Sequence, residues 1–279
     1  MPRRFFVEGF DANSAVLRGE AAEHLGRVLR AEPGQMYELS DGQRVWLGRI
    51  ERVALAKRGE NRVDFALVEP IAIRELFVQI DLLLSLVKFD RFEWCLEKAT
   101  ELGVREVIPL AAARTDKPLV AAASKRNVRW EKILLESAQQ SRRLGPPLIR
   151  EPVSPEKAFA QCSAAARIVL SERPGAPSLR AALGKSLGGR SSAVPESWTK
   201  LREFSFDNQA ERNREASAPE VNQLTSAALA IGPEGGWTDA EIAAAKAAGF
   251  AEASLGESIL RTETAVLASM AVLRFALGE

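Results

Sequence analysis

The stretch Ala227-Ala228-Leu229-Ala230-Ile231-Gly232-Pro233-Glu234-Gly235-Gly236-Trp237-Thr238-Asp239-Ala240-Glu241 decides how the chain is read. Its first five residues are continuously apolar, as a strand buried on both faces requires. Glycines at 232, 235 and 236 interrupt the run. Thr238 and Glu241 then have the spacing of a capping box, which predicts a helix over 238–248 with Gly249 at its end. Strand, glycine loop and capped helix together form the repeating unit of a parallel α/β sheet. Glycine permits positive φ and close approach of backbone to a ligand, and a helix start favours an anion. A plain strand-to-helix turn has the same composition. The loop carries neither the Gly-Lys-Ser/Thr of a P-loop nor the spacing of a dinucleotide fingerprint.

The same alternation continues on both sides. Leu76–Leu86 is almost unbroken apolar sequence and predicts another buried strand. Asp90 and Glu93 suggest a capping box for the helix that follows. Its stripe is Phe92, Cys95, Leu96, Ala99 and Leu102, and Gly103 is its terminator. A strand over Glu106–Leu110 and a helix over Val128–Arg143 come next, the helix stopping at Gly145-Pro146-Pro147. Arg167–Leu170 and Ala253–Leu255 read as short buried strands, and Thr264–Leu277 as a closing apolar helix. Residues 184–226 break the pattern. They hold six basic and six acidic residues among Ser, Gly and Asn, which predicts a mobile insertion.

Residues 1–72 read differently. Arg3–Val7, Ala15–Arg18, Arg44–Val53 and Arg62–Val68 are short strand candidates, and Tyr37-Glu38-Leu39-Ser40-Asp41-Gly42-Gln43 adds a fifth, its Asp41-Gly42 marking a hairpin turn between two alternating runs. One short helix, Ala21–Arg30, interrupts them, and Pro70 closes the set. This predicts a small β-barrel over 1–72 and a separate α/β domain over 73–279.

Composition narrows the chemistry. The chain has 279 residues, 46% hydrophobic, with 38 basic against 37 acidic residues, so neither a disordered chain nor a polybasic tail fits. His24 is its single histidine, and Cys95 and Cys162 are its two cysteines. They are too few for a Cys/His zinc cluster or a disulfide framework, and they suit a reducing compartment. The N-terminus has no apolar signal-peptide core, and no run reaches the ~20 apolar residues of a bilayer span. The expectation is a cytoplasmic protein with neither membrane nor metal as a partner. Charge is uneven: residues 114–150 carry nine Lys/Arg against three Asp/Glu. Such a stretch can neutralise phosphates or simply solvate a helix face.

Three loops follow three buried strands, and ligands of open α/β sheets sit beyond the strands' carboxyl ends. The first is Ser171-Glu172-Arg173-Pro174-Gly175, and the second is the glycine loop. The third is Gly256-Glu257-Ser258-Ile259-Leu260-Arg261-Thr262-Glu263-Thr264-Ala265. The second and third loops closely resemble the two C-terminal motifs of the RsmE family. These are SPOUT-class methyltransferases acting on N3 of one uridine in small-subunit (16S) ribosomal RNA. Lys98-Ala99-Thr100-Glu101-Leu102-Gly103-Val104 is similar to the family's first conserved helix. Gln140-Ser141 with Arg143 is similar to its Gln-Ser-x-Arg segment, Arg142 standing where a small residue is common. Arg3-Arg4-Phe5-Phe6 and His24-Leu25 with Val28-Leu29-Arg30 resemble its N-terminal domain. The resemblance covers both domains and omits 184–226.

The resemblance implies a PUA-like N-terminal β-barrel and a C-terminal α/β SPOUT domain with a deep trefoil knot, working as a homodimer. It implies S-adenosyl-L-methionine as cofactor, held by Leu170, Ser171 and Glu172, by Gly232, Pro233, Glu234, Gly235 and Gly236, and by Leu255, Gly256, Ile259, Leu260, Arg261, Thr262 and Ala265. It implies 16S ribosomal RNA of the 30S subunit as partner, with contacts at Arg3, Arg4, Phe5, His24, Arg30, Gln140, Arg142 and Arg143. Uracil N3–H is a weak acid, so transfer needs a proton acceptor or a cation that stabilises the imide anion. Arg261 is the candidate cation, and Glu234 or Glu263 the candidate base. Two other readings are a SPOUT ribose 2′-O-methyltransferase and an inactive RNA-binding assembly factor. The Leu260-Arg261-Thr262-Glu263-Thr264-Ala265 motif speaks against the first, and the intact glycines speak against the second.

Overall fold

The computed structural model describes residues 3–56, 60–73, 78–186 and 226–276. Its strands fall into two sheets. The first contains β1 (Arg4–Phe6), β2 (Ser14–Arg18), β3 (Met36–Ser40), β4 (Val45–Ala54) and β5 (Arg62–Pro70), in the order β1-β3-β4-β5-β2. The β3–β4 hairpin turns at Asp41-Gly42 as expected. Asp41 Oδ1 accepts the Gln43 and Arg44 amides, and Gly42 takes φ +86°. Phe5, Leu17, Leu25, Leu39, Ile50, Val63 and Phe65 fill its core. The expected helix over Ala21–Arg30 is instead α1 (Gly19–Glu23) followed by a π-helical turn, His24–Val28. Arg30 at φ +51° lies just beyond it.

The second sheet contains β6 (Gln79–Ser85), β7 (Val104–Leu110), β8 (Leu148–Ile149), β9 (Ala166–Leu170), β10 (Ser226–Ile231) and β11 (Ala251–Ala253). Its order is β11-β9-β10-β6-β7-β8, and every pair is parallel. Alternate residues of one strand enter opposite cores. Leu82, Leu84, Ile168, Leu229 and Ile231 face one layer, while Leu83, Val169, Ala228 and Ala230 face the other. The first layer includes α2 (Phe89–Glu101), α3 (Lys117–Ala123), α4 (Asn127–Gln140), α6 (Leu179–Ser186) and α8 (Thr262–Ala276). The second is made by α5 (Pro155–Gln161) and α7 (Asp239–Ala247). Burial on both faces explains the continuous apolar runs.

Helix α2 buries Phe92, Cys95, Leu96 and Ala99, and Gly103 ends it at φ +79°. Its expected capping box does not form. Lys88 is the N-cap, and the Glu93 carboxylate takes two 2.7 Å hydrogen bonds from Arg129 of α4 instead of reaching back to the helix start. Strand β11 lies two residues earlier than expected, because Ser254 exchanges hydrogen bonds with Pro177 and Leu179. Helix α8 begins at Thr262, and Leu277 lies outside the described residues. So do 187–225 of the expected insertion, while 184–186 finish α6 and Ser226 opens β10.

A buried polar seam joins the sheets. Arg4 is 8% exposed and Glu38 6%. Arg4 pairs with Glu38 at 2.9 Å and donates to the carbonyls of Arg142 and Arg143. Arg142 reaches the other Glu38 oxygen at 3.5 Å, and Ser40 Oγ donates to the Leu144 carbonyl. The Arg143 guanidinium turns away to cap the end of α2 at the Thr100 carbonyl. Arg4→Ala leaves Glu38 with only the 3.5 Å Arg142 contact and removes the donor to two carbonyls, so unfolding free energy should fall by about 3 kcal/mol in a denaturant melt. An unchanged midpoint would show that the seam is not structural.

Candidate functional site

One cavity of about 660 Å³ opens beyond the carboxyl ends of β9, β10 and β11. Residues 170–174, 231–237 and 254–262 line it, with Ala265 and two residues from outside the three loops, Arg91 and Arg114. Every loop residue proposed to hold the cofactor lies in this wall. The volume is within the roughly 300–1,000 Å³ typical of small-molecule sites.

Trp237 shapes the cavity. Its Nε1–H donates to the Leu170 carbonyl at 2.8 Å, tying the loop after β10 to the end of β9. The indole rests on Gly232, where a Cβ would lie 3.0 Å from Trp237 Cε2. Gly232 is therefore glycine at least partly for Trp237. The turn that follows is closed by the Gly236 amide donating to the Pro233 carbonyl at 2.8 Å, with Gly236 at φ +69°. That amide already has a partner, so the turn can hold a ligand only through its other groups. The capping box expected for α7 forms, with Thr238 as N-cap and Glu241 reciprocating. Gly256 takes φ +129° and has open space where a Cβ would project.

The three candidate catalytic residues separate. Arg261 lines the cavity, is exposed, and has no side-chain partner among the described residues. Glu234 also lines it and forms an ion pair with Arg91 of α2. Glu263 is outside the wall. It occupies the first turn of α8, near Cys95 of α2, and its Oε2 is buried without a hydrogen-bond partner among the described residues. Burial pushes the Cys95 thiol up to about 12, and the Glu263 charge adds to this, so Cys95 is no nucleophile.

The RNA-contact candidates divide in the same way. Arg30 and Gln140 are exposed. Arg3 is half-buried, its Nη1 3.4 Å from His24 Nε2. Phe5 is 1% exposed, packed edge-on against Tyr37, so it cannot stack on a base in this conformation. Arg4, Arg142 and Arg143 belong to the seam, where backbone carbonyls and Glu38 claim them. Sequence reading singled out neither Arg91 nor Arg114, and it placed Arg173 in the first loop without giving it a role. Arg173 pairs with Asp239, and Arg114 donates to the Gly235 carbonyl at 2.7 Å. Arg173 carried a signal by its place in the first loop and Arg114 by opening the basic stretch 114–150, whereas Arg91 carried none. Among the described residues no group of His, Cys, Asp and Glu could hold a metal ion, and no helix is long and apolar enough to cross a membrane.

Glu252 of β11 pairs with Lys246 of α7 at 2.7 Å. Burial alone would raise the Glu252 pKa, but hydrogen bonds from Lys246 and Ser171, with Lys246 and Arg173 charges nearby, hold it below 4.5. A depressed carboxylate stabilises the fold above its unfolded pKa, and this contribution disappears as pH falls through the folded value. Glu252→Gln should therefore flatten the loss of stability below about pH 4.5; a parallel acid limb would contradict this. Trp237→Phe leaves the Leu170 carbonyl without its donor and should cost about 1–3 kcal/mol in a denaturant melt.

Residues 74–274 match the family model described as an RNA methyltransferase domain. A protein of Mesomycoplasma hyopneumoniae named ribosomal RNA small subunit methyltransferase E is 31% identical over 189 residues, covering 68% of this chain and 66% of that relative's length. The Bacillus subtilis protein of the same name is 26% identical over 284 residues, covering 98% of this chain and 96% of its own. The crystal structure of ribosomal RNA small subunit methyltransferase E from Neisseria gonorrhoeae, bound to S-adenosyl methionine, superposes with TM-score 0.73 at 25% identity. It covers 98% of this chain and 97% of that one. With the family model spanning most of its length, the chain belongs to the RNA methyltransferase family that includes these RsmE proteins.

Proposed function

We propose that this chain methylates N3 of a single uridine in small-subunit (16S) ribosomal RNA, with S-adenosyl-L-methionine as methyl donor. The observation that carries the reading is the convergence of three loops on one cavity, with Arg261, which has no side-chain partner among the described residues, in its wall. The cavity fits the donor: its volume suits a nucleoside-sized ligand, glycines 232, 235, 236 and 256 lie in its wall, and Gly256 leaves open space. When bound, S-adenosyl-L-methionine supplies an electrophilic methyl group on a sulfonium. Backbone groups of Leu170, Gly232, Leu255 and Leu260 hold its adenosine and methionine parts.

The acceptor chemistry falls to side chains. Arg261 pairs with a uracil carbonyl oxygen and stabilises the negative charge that develops as N3 loses its proton. Glu234, the one candidate base in the cavity wall, accepts that proton after leaving Arg91. N3 lies on the Watson–Crick edge, so the target base is unpaired or flipped out of its stack. Residues 1–72 act as a PUA-like RNA-docking barrel and 73–279 as the SPOUT domain. Arg30 and Gln140, both exposed, and the half-buried Arg3 and His24 are the remaining RNA contacts.

Two further features of the reading have support on the chain itself. After β11, Ser254 pairs with Pro177 and Leu179, and the chain then enters α8 on the α2 side of the sheet. This path is compatible with a C-terminal trefoil knot. Exposed apolar side chains on α8, Leu267, Val272 and Phe275, with Trp94 of α2, support a homodimer. The enzyme works in the cytoplasm, on the 30S subunit.

The test is methylation of ribosomal particles from a strain lacking the enzyme, with mass analysis of the modified nucleoside. A base-methylated uridine supports the reading, while ribose methylation or no product overturns it. Arg261→Ala should lower kcat by about 10²–10³-fold and leave donor affinity within a few-fold. Turnover surviving the substitution would remove Arg261 from the acceptor pocket.

A further inference from the structure

The turn over 233–236 has a weakness that its sequence creates. Two successive glycines resist rotation less than any other pair, yet a donor-binding wall needs one fixed geometry. The peptide joining Gly235 to Gly236 is nonetheless held at both ends. Its N–H, on Gly236, donates inward to the Pro233 carbonyl at 2.8 Å. In a planar trans peptide the C=O points opposite to the N–H. The Gly235 oxygen therefore faces away from the turn, and there it accepts Arg114 Nη1 at 2.7 Å.

Arg114 arrives by a route independent of the three loops. It follows β7, in the segment leading to α3. The residue before it, Ala113, donates its amide to Glu241 Oε1 at 2.9 Å. Glu241 is 2% exposed, and its Oε2 already takes the Thr238 amide and hydroxyl, each at 2.8 Å. One buried carboxylate thus fixes the start of α7 and the backbone beside Arg114 together. The arginine stem covers the turn so closely that a Cβ on Gly235 would lie 3.2 Å from Arg114 Cβ. A side chain at 235 would therefore press on the Arg114 stem.

We propose that Arg114 is a positioning residue for methyl transfer, fixing the Gly235–Gly236 peptide so that the turn presents one donor-binding face. The inference rests on the cavity being the donor site. Arg114 acts through the turn, so its loss weakens donor binding and leaves the chemical step intact once donor saturates the site.

Calorimetric titration of S-adenosyl-L-methionine into wild type, Arg114→Ala, Arg114→Met and Arg114→Lys, with kcat and KM for each, tests this. Arg114→Met keeps the stem and deletes the donor. Arg114→Lys keeps both the stem and one N–H donor. For the Ala and Met variants Kd and donor KM should rise about three- to tenfold with kcat at saturating donor unchanged, the size of one solvent-accessible charged hydrogen bond. Arg114→Lys should stay within about twofold of wild type. If Arg114→Ala fails to fold, the Met and Lys pair decides. A Met variant binding like wild type, or a fall in kcat with Kd unchanged, overturns the inference alone. A wild type that does not bind overturns the donor-site reading and this inference with it.

Discussion

A single buried hydrogen bond organises the site, from the Trp237 indole to the Leu170 carbonyl. Strand β9 ends at Leu170 and β10 ends six residues before Trp237, so this contact draws the loops after two adjacent parallel strands onto a common wall. An unsatisfied carbonyl there would carry a desolvation penalty, and an indole that missed it would bury an orphan N–H. The third loop is tied from the other side, through Ser254 to Pro177 and Leu179. The cavity is the space these ties leave open.

Glycine at 232 makes the contact possible, because any Cβ would press on the indole. The remainder of the glycine loop is stabilised by charge from outside. Arg91 of α2 holds Glu234, and Arg114 after β7 holds the Gly235 carbonyl. The floor of the site is thus built from β9, β10 and β11, and its outer brace from the first turn of α2 and the β7–α3 connection. The far sheet is coupled to this frame through the Arg4–Glu38 seam and Arg143, whose burial against the end of α2 lowers its pKa to about 10, Arg274 nearby adding repulsion.

Local patterns were legible in the sequence, and long-range competition was not. The Thr238–Glu241 box could be read because both partners lie within one turn. Asp90 and Glu93 have the same spacing, but Arg129, thirty-six residues away, claims Glu93. The buried strands were evident from unbroken apolar runs, whereas β8, α3, α5 and α6 are too short for periodicity to separate them from loops. Glu263 was misplaced by two residues of helix. With α8 starting at Thr262 rather than Thr264, Glu263 falls one turn before buried Val266 and joins the face packed near α2. Arg4, Arg142 and Arg143 have the composition of an RNA surface, and only tertiary contact reveals their carbonyl and carboxylate partners.

Everything turns on whether the three loops beyond β9, β10 and β11 close around one ligand. Hydrogen–deuterium exchange with and without S-adenosyl-L-methionine measures this directly. The account predicts slowed exchange confined to amides of 170–174, 232–237 and 254–262. Protection elsewhere, or at only one of the three segments, would contradict it.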